Sequence, residues 1–213
     1  MVRTTVVGLD LAGVETRPTG FCKLDDTQVE TCNAYADTEI LTKVQAASPN
    51  IVAIDAPLSL PPGRQTIEQR TGTHLRDADR ELLRRHIRFF PITLGPMRQL
   101  TKRGMNLKEV LRGIGFRAIE VYPGGAQDVL GIPRKQLGLD KLRVGLEGLG
   151  LKGLNIRMSD HELDAVTCAY VGKLFLEGRS VTYGAQETGI VMPHDKRTNR
   201  LEREGHSPRT NSR

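Results

Sequence analysis

Thr5-Val6-Val7-Gly8-Leu9-Asp10 and Ile51-Val52-Ala53-Ile54-Asp55 decide the fold. Each is an apolar run of strand length that ends on an acid. A nearly all-apolar run is what a strand covered on both faces requires. The terminal acid is costly to leave in apolar surroundings unless it is paired or binds a metal. Glu120 closes a third run, Phe116-Arg117-Ala118-Ile119, and Asp164 falls one turn into a helix that starts near Ser159. Brought together, such acids make a seat for a hard divalent cation such as Mg²⁺.

Working outward, Thr4 to Ala12 reads as the first strand, bounded by Gly13. Gly20 to Leu24 and Gln28 to Ala34 read as two more, joined by a tight turn at Asp25-Asp26. Thr38 is placed to cap a helix to about Ala47, with Ile40, Leu41, Val44 and Ala47 on one stripe. Asn50 to Ala56 is the fourth strand, stopped by Pro57 and Leu60-Pro61-Pro62-Gly63. Residues 64–112 then read as a helical insertion. Its pieces are Thr66 to Arg70, Asp77 to Arg88 and Leu107 to Gly113, broken at Phe90-Pro91 and Gly95-Pro96.

Phe116 to Val121 is the fifth strand, closed by Pro123. Residues 134–154 have helical periodicity, opposed by five glycines. Ser159 to Glu177 is the clearest helix: Ser159 and Glu162 form a capping box, and Gly178 is its stop. Val181-Thr182-Tyr183 and Ile190-Val191-Met192 fit a last short hairpin. Residues 194–213 are basic and nearly devoid of apolar side chains, the composition of a disordered tail. The order predicts one α/β domain over residues 1–193, a mixed five-stranded sheet with helices on both faces. If the first strand is central, Asp10 and Asp55 lie on neighbouring strand ends about 5 Å apart, where open α/β sheets bind their ligands.

A chain of 213 residues can bury such a core. With aromatics at 4% and no Trp, that core must rest on Leu, Ile, Val and Ala. No apolar run reaches membrane-spanning length and no signal peptide is visible, so the expected compartment is the cytoplasm. Cys22, Cys32 and Cys168 are odd in number and form no C-x-x-C pair, which argues against structural zinc. Cys22 and Cys32 could face each other across the hairpin, and buried thiols are the reading that suits a reducing cytosol. Residues 61–112 carry twelve Lys/Arg against five Asp/Glu, a local +7 within a net charge of +6. Such a segment beside acids fits an anionic phosphodiester or nucleotide, or is a solvated helical face.

The motifs have competing readings. Gly8 lets the first strand lie close to a neighbour, and Asp10 either serves a site or caps its own turn. His161 and Asp164 share a helix face at i and i+3 and could reach one metal. Helix capping accounts for Glu162 but poorly for Asp164, which is flanked by the core residues Leu163 and Val166. Tyr122-Pro123-Gly124-Gly125 offers free backbone N–H groups for an anion, or an ordinary turn. No phosphate-binding P-loop, G-x-G-x-x-G or G-x-S-x-G motif is present.

Asp10, Asp55 and the late H-x-x-D-A motif resemble the ribonuclease H-like fold in its RuvC-type resolvase arrangement. More closely, the chain resembles the domain-of-unknown-function 429 family, described as predicted nucleases of that fold. The blocks are G-L-D-L-A-G, I-V-A-I-D-A-P-L-S-L-P, R-D-A-D-R-E-L, I-E-V-Y-P-G-G, H-E-L-D-A-V-T-C-A-Y and G-I-V-M-P, colinear over residues 4–193. The resemblance implies a nuclease acting on DNA, RNA or a nucleotide with two Mg²⁺ or Mn²⁺ ions. Asp10 would bridge them, and Asp55, Asp164 and His161 would complete their shells. Glu120 matches the family motif and is carried as a fourth catalytic acid. Arg76 and Arg80 are assigned to substrate phosphate with Asp79 orienting them, beside Gly124 and Gly125; an ion-pair network within the helix is the competing reading. His161 stands where such nucleases commonly have an acid, and His is a poor Mg²⁺ ligand. A homodimer is compatible, as in resolvases. The other classes considered are an actin/hexokinase-like nucleotide- or sugar-phosphate-binding protein, for which the chain is short, and a non-catalytic nucleic-acid-binding module.

Overall fold

In the computed structural model, which describes residues 4–194, the two decisive runs are neighbouring strands. They are β1 (Thr5–Asp10) and β4 (Ile51–Asp55), which pair in parallel with Asp10 opposite Asp55. On the other side of β1 lies the antiparallel hairpin β2 (Thr19–Asp25) and β3 (Gln28–Ala34). β5 (Ala118–Val121) extends the sheet in parallel beyond β4. The fold class is α/β with a mixed sheet flanked by helices, as the ribonuclease H-like resemblance implies.

The sheet has seven strands, not five. The late hairpin, β6 (Ser180–Tyr183) and β7 (Ile190–Pro193), adds to it with β7 parallel to β5, giving the order β3-β2-β1-β4-β5-β7-β6. Strands of four residues give little alternation to read, and their pairing partner is distant in sequence. Cys22 and Cys32 do not face each other, because Cys32 pairs with Phe21 and Cys22 with Thr31. One step of register sends the two thiols to opposite faces of the sheet, and all three cysteines are free.

Helices cover both faces. α1 (Asp37–Ala47) and α3 (Gly95–Gly113) bury Ile40, Val44, Leu107 and Leu111 against Val7, Leu9, Val52 and Ile54. On the other face lies α6 (Asp160–Leu176), itself covered by α4 (Pro123–Leu130) and α5 (Leu139–Gly148). The expected apolar stripe of α6 is therefore an all-round apolar surface, the pattern of a helix packed on every side. α2 (Asp77–Arg84) and α3 lie between β4 and β5.

The helical pieces of 64–112 need correction. Residues 66–70 are not helical, and Gly95-Pro96 opens α3 instead of breaking it. Proline in the first turn of a helix gives up an N–H that has no intrahelical partner anyway. The glycines after Glu120 likewise lie inside the first turn of α4.

The neighbour that Gly8 admits is α6. A Cβ on Gly8 would overlap the carbonyl oxygen of Ala165, and one on Gly20 would overlap that of His161. These two glycines let the first turns of α6 settle onto β1 and β2. The Ser159–Glu162 capping box forms, and Thr31 Oγ1 donates to Glu162 Oε1 at 2.7 Å, tying the helix start to β3.

Residues 195–213, on which the disordered-tail expectation falls, lie outside the described residues. Among the described residues no helix is long and apolar enough to cross a membrane.

Candidate active site

The ends of β1 and β4 and the first turns of α6 meet. Asp10 Oδ2 lies 2.7 Å from His161 Nδ1. That hydrogen bond raises the His161 pKa above its ordinary value, although partial burial opposes the charge. Asp55 is half-buried beside them. Burial pushes its carboxyl well above the usual aspartate range, and the neighbouring carboxylates of Asp10 and Asp164 push it further. Among the described residues, no hydrogen bond or ion pair reaches the Asp55 carboxylate.

Asp164 is buried and fully engaged. Its Oδ1 accepts from Gln127 Nε2 at 2.8 Å, and its Oδ2 lies 2.8 Å from Lys135 Nζ. Gln127, on α4, also donates to Thr167 Oγ1 at 3.1 Å, which fixes the amide between two α6 side chains. Burial raises the Asp164 pKa while Lys135 pulls it back. Lys135 also reaches Asp160 at 3.2 Å. Burial works against its charge, but the surrounding acids together outweigh that and hold it above the ordinary lysine range.

Lys135 is a charged neighbour of the candidate site that sequence reasoning missed. It sits in a one-turn 3-10 helix (Lys135–Leu137) within a Gly/Leu-rich stretch that matches no motif. A signal existed in the burial rule: several clustered acids require a counter-charge.

Glu120 belongs to a second cluster. Its Oε2 accepts from Arg76 Nη1 at 2.7 Å and from the Leu58 N–H at 2.7 Å. Burial raises the Glu120 pKa, and Arg76 and Leu58 pull against it. The Arg76 guanidinium is buried and also grips Asp79, with Nη2 to Oδ1 at 2.9 Å. Asp79 Oδ2 in turn accepts the Arg76 backbone N–H, closing the first turn of α2. Arg80 is exposed and pairs with Asp77 at 2.7 Å.

Gly125 packs against Tyr122, Ile87 and Met192. Gly124 faces the Arg134 guanidinium. The structure thus brings Asp10, Asp55, Asp164 and His161 together and holds Glu120, Arg76 and Asp79 as a neighbouring unit.

Part of the basic segment is engaged by the protein's own groups. Arg64 binds the carbonyls of Gln69 and Thr73, and Arg103 binds those of Ala12 and Tyr35 together with Asp37. Arg84 pairs with Glu81, and Arg112 with Glu109. The local excess of positive charge in the sequence is therefore not an equal excess of free surface cations.

Among the described residues, no three His, Cys, Asp or Glu side chains are arranged as a ready metal cluster. One carboxylate oxygen of Asp10 is taken by His161 and one of Asp164 by Lys135. The donor set still fits a hard cation, because the Asp55 carboxylate takes no described hydrogen bond or ion pair beside Asp10.

No curated protein matches the chain. A solved Thermus thermophilus RuvC structure is similar at 13% identity with a TM-score of 0.46, over 89% of this chain and 100% of that one. Residues 8–188 match the model of a family described as "Protein of unknown function (DUF429)". The chain belongs to the domain-of-unknown-function 429 family.

Proposed function

We propose that this protein is a metal-dependent hydrolase of phosphodiester bonds in nucleic acid. The observation that carries the reading is the Asp55 carboxylate, which takes no described hydrogen bond or ion pair and lies half-buried opposite Asp10 and near Asp164. An acid held that way is destabilising by itself and becomes favourable beside a cation. The sequence resemblance implies the same activity.

Asp10 and Asp55 would hold a Mg²⁺ or Mn²⁺ ion, with Asp164 and His161 completing its surroundings. When bound, the ion supplies Lewis-acid stabilisation of a phosphoryl oxygen and lowers the pKa of water. His161 orients Asp10 through their 2.7 Å contact. Gln127 and Thr167 hold Asp164 in one rotamer. Lys135 neutralises Asp164 and brings an ammonium beside the acids, where a phosphate oxygen is its natural partner. Arg80, on the surface, takes the role of phosphate contact, whereas Arg76 serves Glu120 and Asp79.

The test is incubation of the protein with Mn²⁺ or Mg²⁺ and labelled single-stranded, duplex, branched and RNA substrates, with Asp10→Asn alongside. Metal-dependent cleavage by the wild type and its loss in Asp10→Asn are expected. Equal activity of the two proteins would remove Asp10 from the site, and no cleavage of any substrate would overturn the reading.

A further inference from the structure

Beside Asp55 the structure opens a second space. A cavity of about 170 Å³ lies between β4, β5, α2 and the residues leading into α3. Its walls are Phe89, Phe90, Met97, Leu100 and Tyr122, and Asp55 and Glu120 line it as well. It is smaller than the roughly 300–1,000 Å³ of sites for drug-sized molecules, which leaves room for one ring system.

Three features point to what that ring system is. Phe90 is 72% exposed, in a chain whose aromatics are few. An aromatic held at the mouth of an apolar slot is costly in water unless something covers it. Tyr122 donates its hydroxyl to the Arg88 carbonyl at 2.5 Å, which anchors the segment that carries Phe89 and Phe90. The other wall carries a polar handle. Glu120 is only 6% exposed, and both of its described hydrogen bonds fall on Oε2. Oε1 takes no described hydrogen bond, and Glu120 lines the slot. A mostly apolar slot with an aromatic lip and the Asp55 and Glu120 carboxylates on its wall fits a flat ring that carries N–H donors on its edge.

We propose that this slot receives one unpaired nucleobase of the nucleic-acid substrate. Phe90 stacks on its face and Glu120 Oε1 accepts an N–H from its edge. Guanine, which sets two N–H donors side by side on its pairing edge, gains most from a carboxylate acceptor. A base can enter only when it is out of the helical stack, so the preferred substrate is single-stranded, branched or locally opened. Asp55 lines the same space, which puts the captured nucleotide's backbone next to the proposed metal seat. The inference rests on the proposed nuclease reading for its substrate class.

The experiment is a binding titration in EDTA, where cleavage plays no part. The probes are a labelled oligonucleotide with a single guanine in an otherwise abasic strand, and the fully abasic strand. The guanine strand is expected to bind about ten-fold tighter, the measure of one stacked base. Phe90→Ala is expected to erase that difference without changing the abasic affinity, and Phe90→Trp to restore it. Since Phe90 is exposed, both variants retain the fold. Equal affinity for the two strands, or a guanine preference that survives Phe90→Ala, overturns the slot. Cleavage with Mn²⁺ is read separately. Base-dependent binding without cleavage leaves the slot standing and removes the nuclease, while cleavage without base dependence does the reverse.

Discussion

Two acidic clusters sit side by side at the strand ends, and they are built on opposite principles. Around Arg76, each acid is neutralised: Glu120 and Asp79 share one buried guanidinium, and the Leu58 and Arg76 backbone N–H groups complete the set. Around Asp55, charge is left over. Asp10 has a half-exposed histidine, Asp164 has Lys135, and Asp55 has neither hydrogen bond nor ion pair among the described residues. The first arrangement stabilises a fold. The second costs stability and is worth keeping only if something binds there.

The comparison breaks first at Arg76. Arg76→Met leaves two buried carboxylates without their guanidinium, each with only a backbone N–H, and should cost about 3–5 kcal/mol, read by urea unfolding. Asp55→Asn should be neutral or stabilising by about 1 kcal/mol, because it removes a buried carboxylate that no described hydrogen bond or ion pair offsets. A larger loss at Asp55 than at Arg76 would invert the two roles.

Gly8→Ala comes next. Its Cβ pushes against the Ala165 backbone, so α6 must lift off β1, at about 1–3 kcal/mol. The same shift carries His161 and Asp164 away from Asp10, and cleavage should fall further than the stability loss accounts for.

Lys135→Met frees Asp164 and removes a competing positive charge. Mn²⁺ binding, followed by calorimetry, should tighten about ten-fold, while cleavage falls for want of the phosphate-facing ammonium. Unchanged metal affinity would mean that Lys135 serves the fold alone.

The smallest expected effect is that of pH on His161. Its folded pKa is raised by the Asp10 hydrogen bond, so the pair stabilises the metal-free protein fully below the unfolded histidine value and fades as pH rises through the folded one. NMR titration of the imidazole should show the raised value, and Asp10→Asn should return it toward the ordinary one. Metal binding should strengthen over the same pH window, since a ligating histidine must lose its proton.

The carboxylates of the open cluster were legible in the sequence because each marks an element end: Asp10 and Asp55 close apolar runs, and Asp164 follows a capping box at Ser159. Their meeting depends on register, which Gly8 and Gly20 permit through a helix contact that strand patterns do not encode. Lys135 was hidden because its partners lie on another helix and nothing local sets it apart from other surface lysines. Glu120 was visible as a strand-end acid, but its binding to Arg76 spans 44 residues and appears only in three dimensions. Pro96 was misread because proline both ends and begins helices, and only the packing of Leu107 and Leu111 shows which.

The central claim is that Asp10 and Asp55 form a seat for a divalent cation. Titration of the wild type, Asp10→Asn and Asp55→Asn with Mn²⁺, followed by electron paramagnetic resonance, tests it most directly. Saturable binding by the wild type that is lost in both variants, with each still folded by circular dichroism, is the predicted result. Wild-type binding that persists unchanged in Asp55→Asn, or no binding at all, would contradict it.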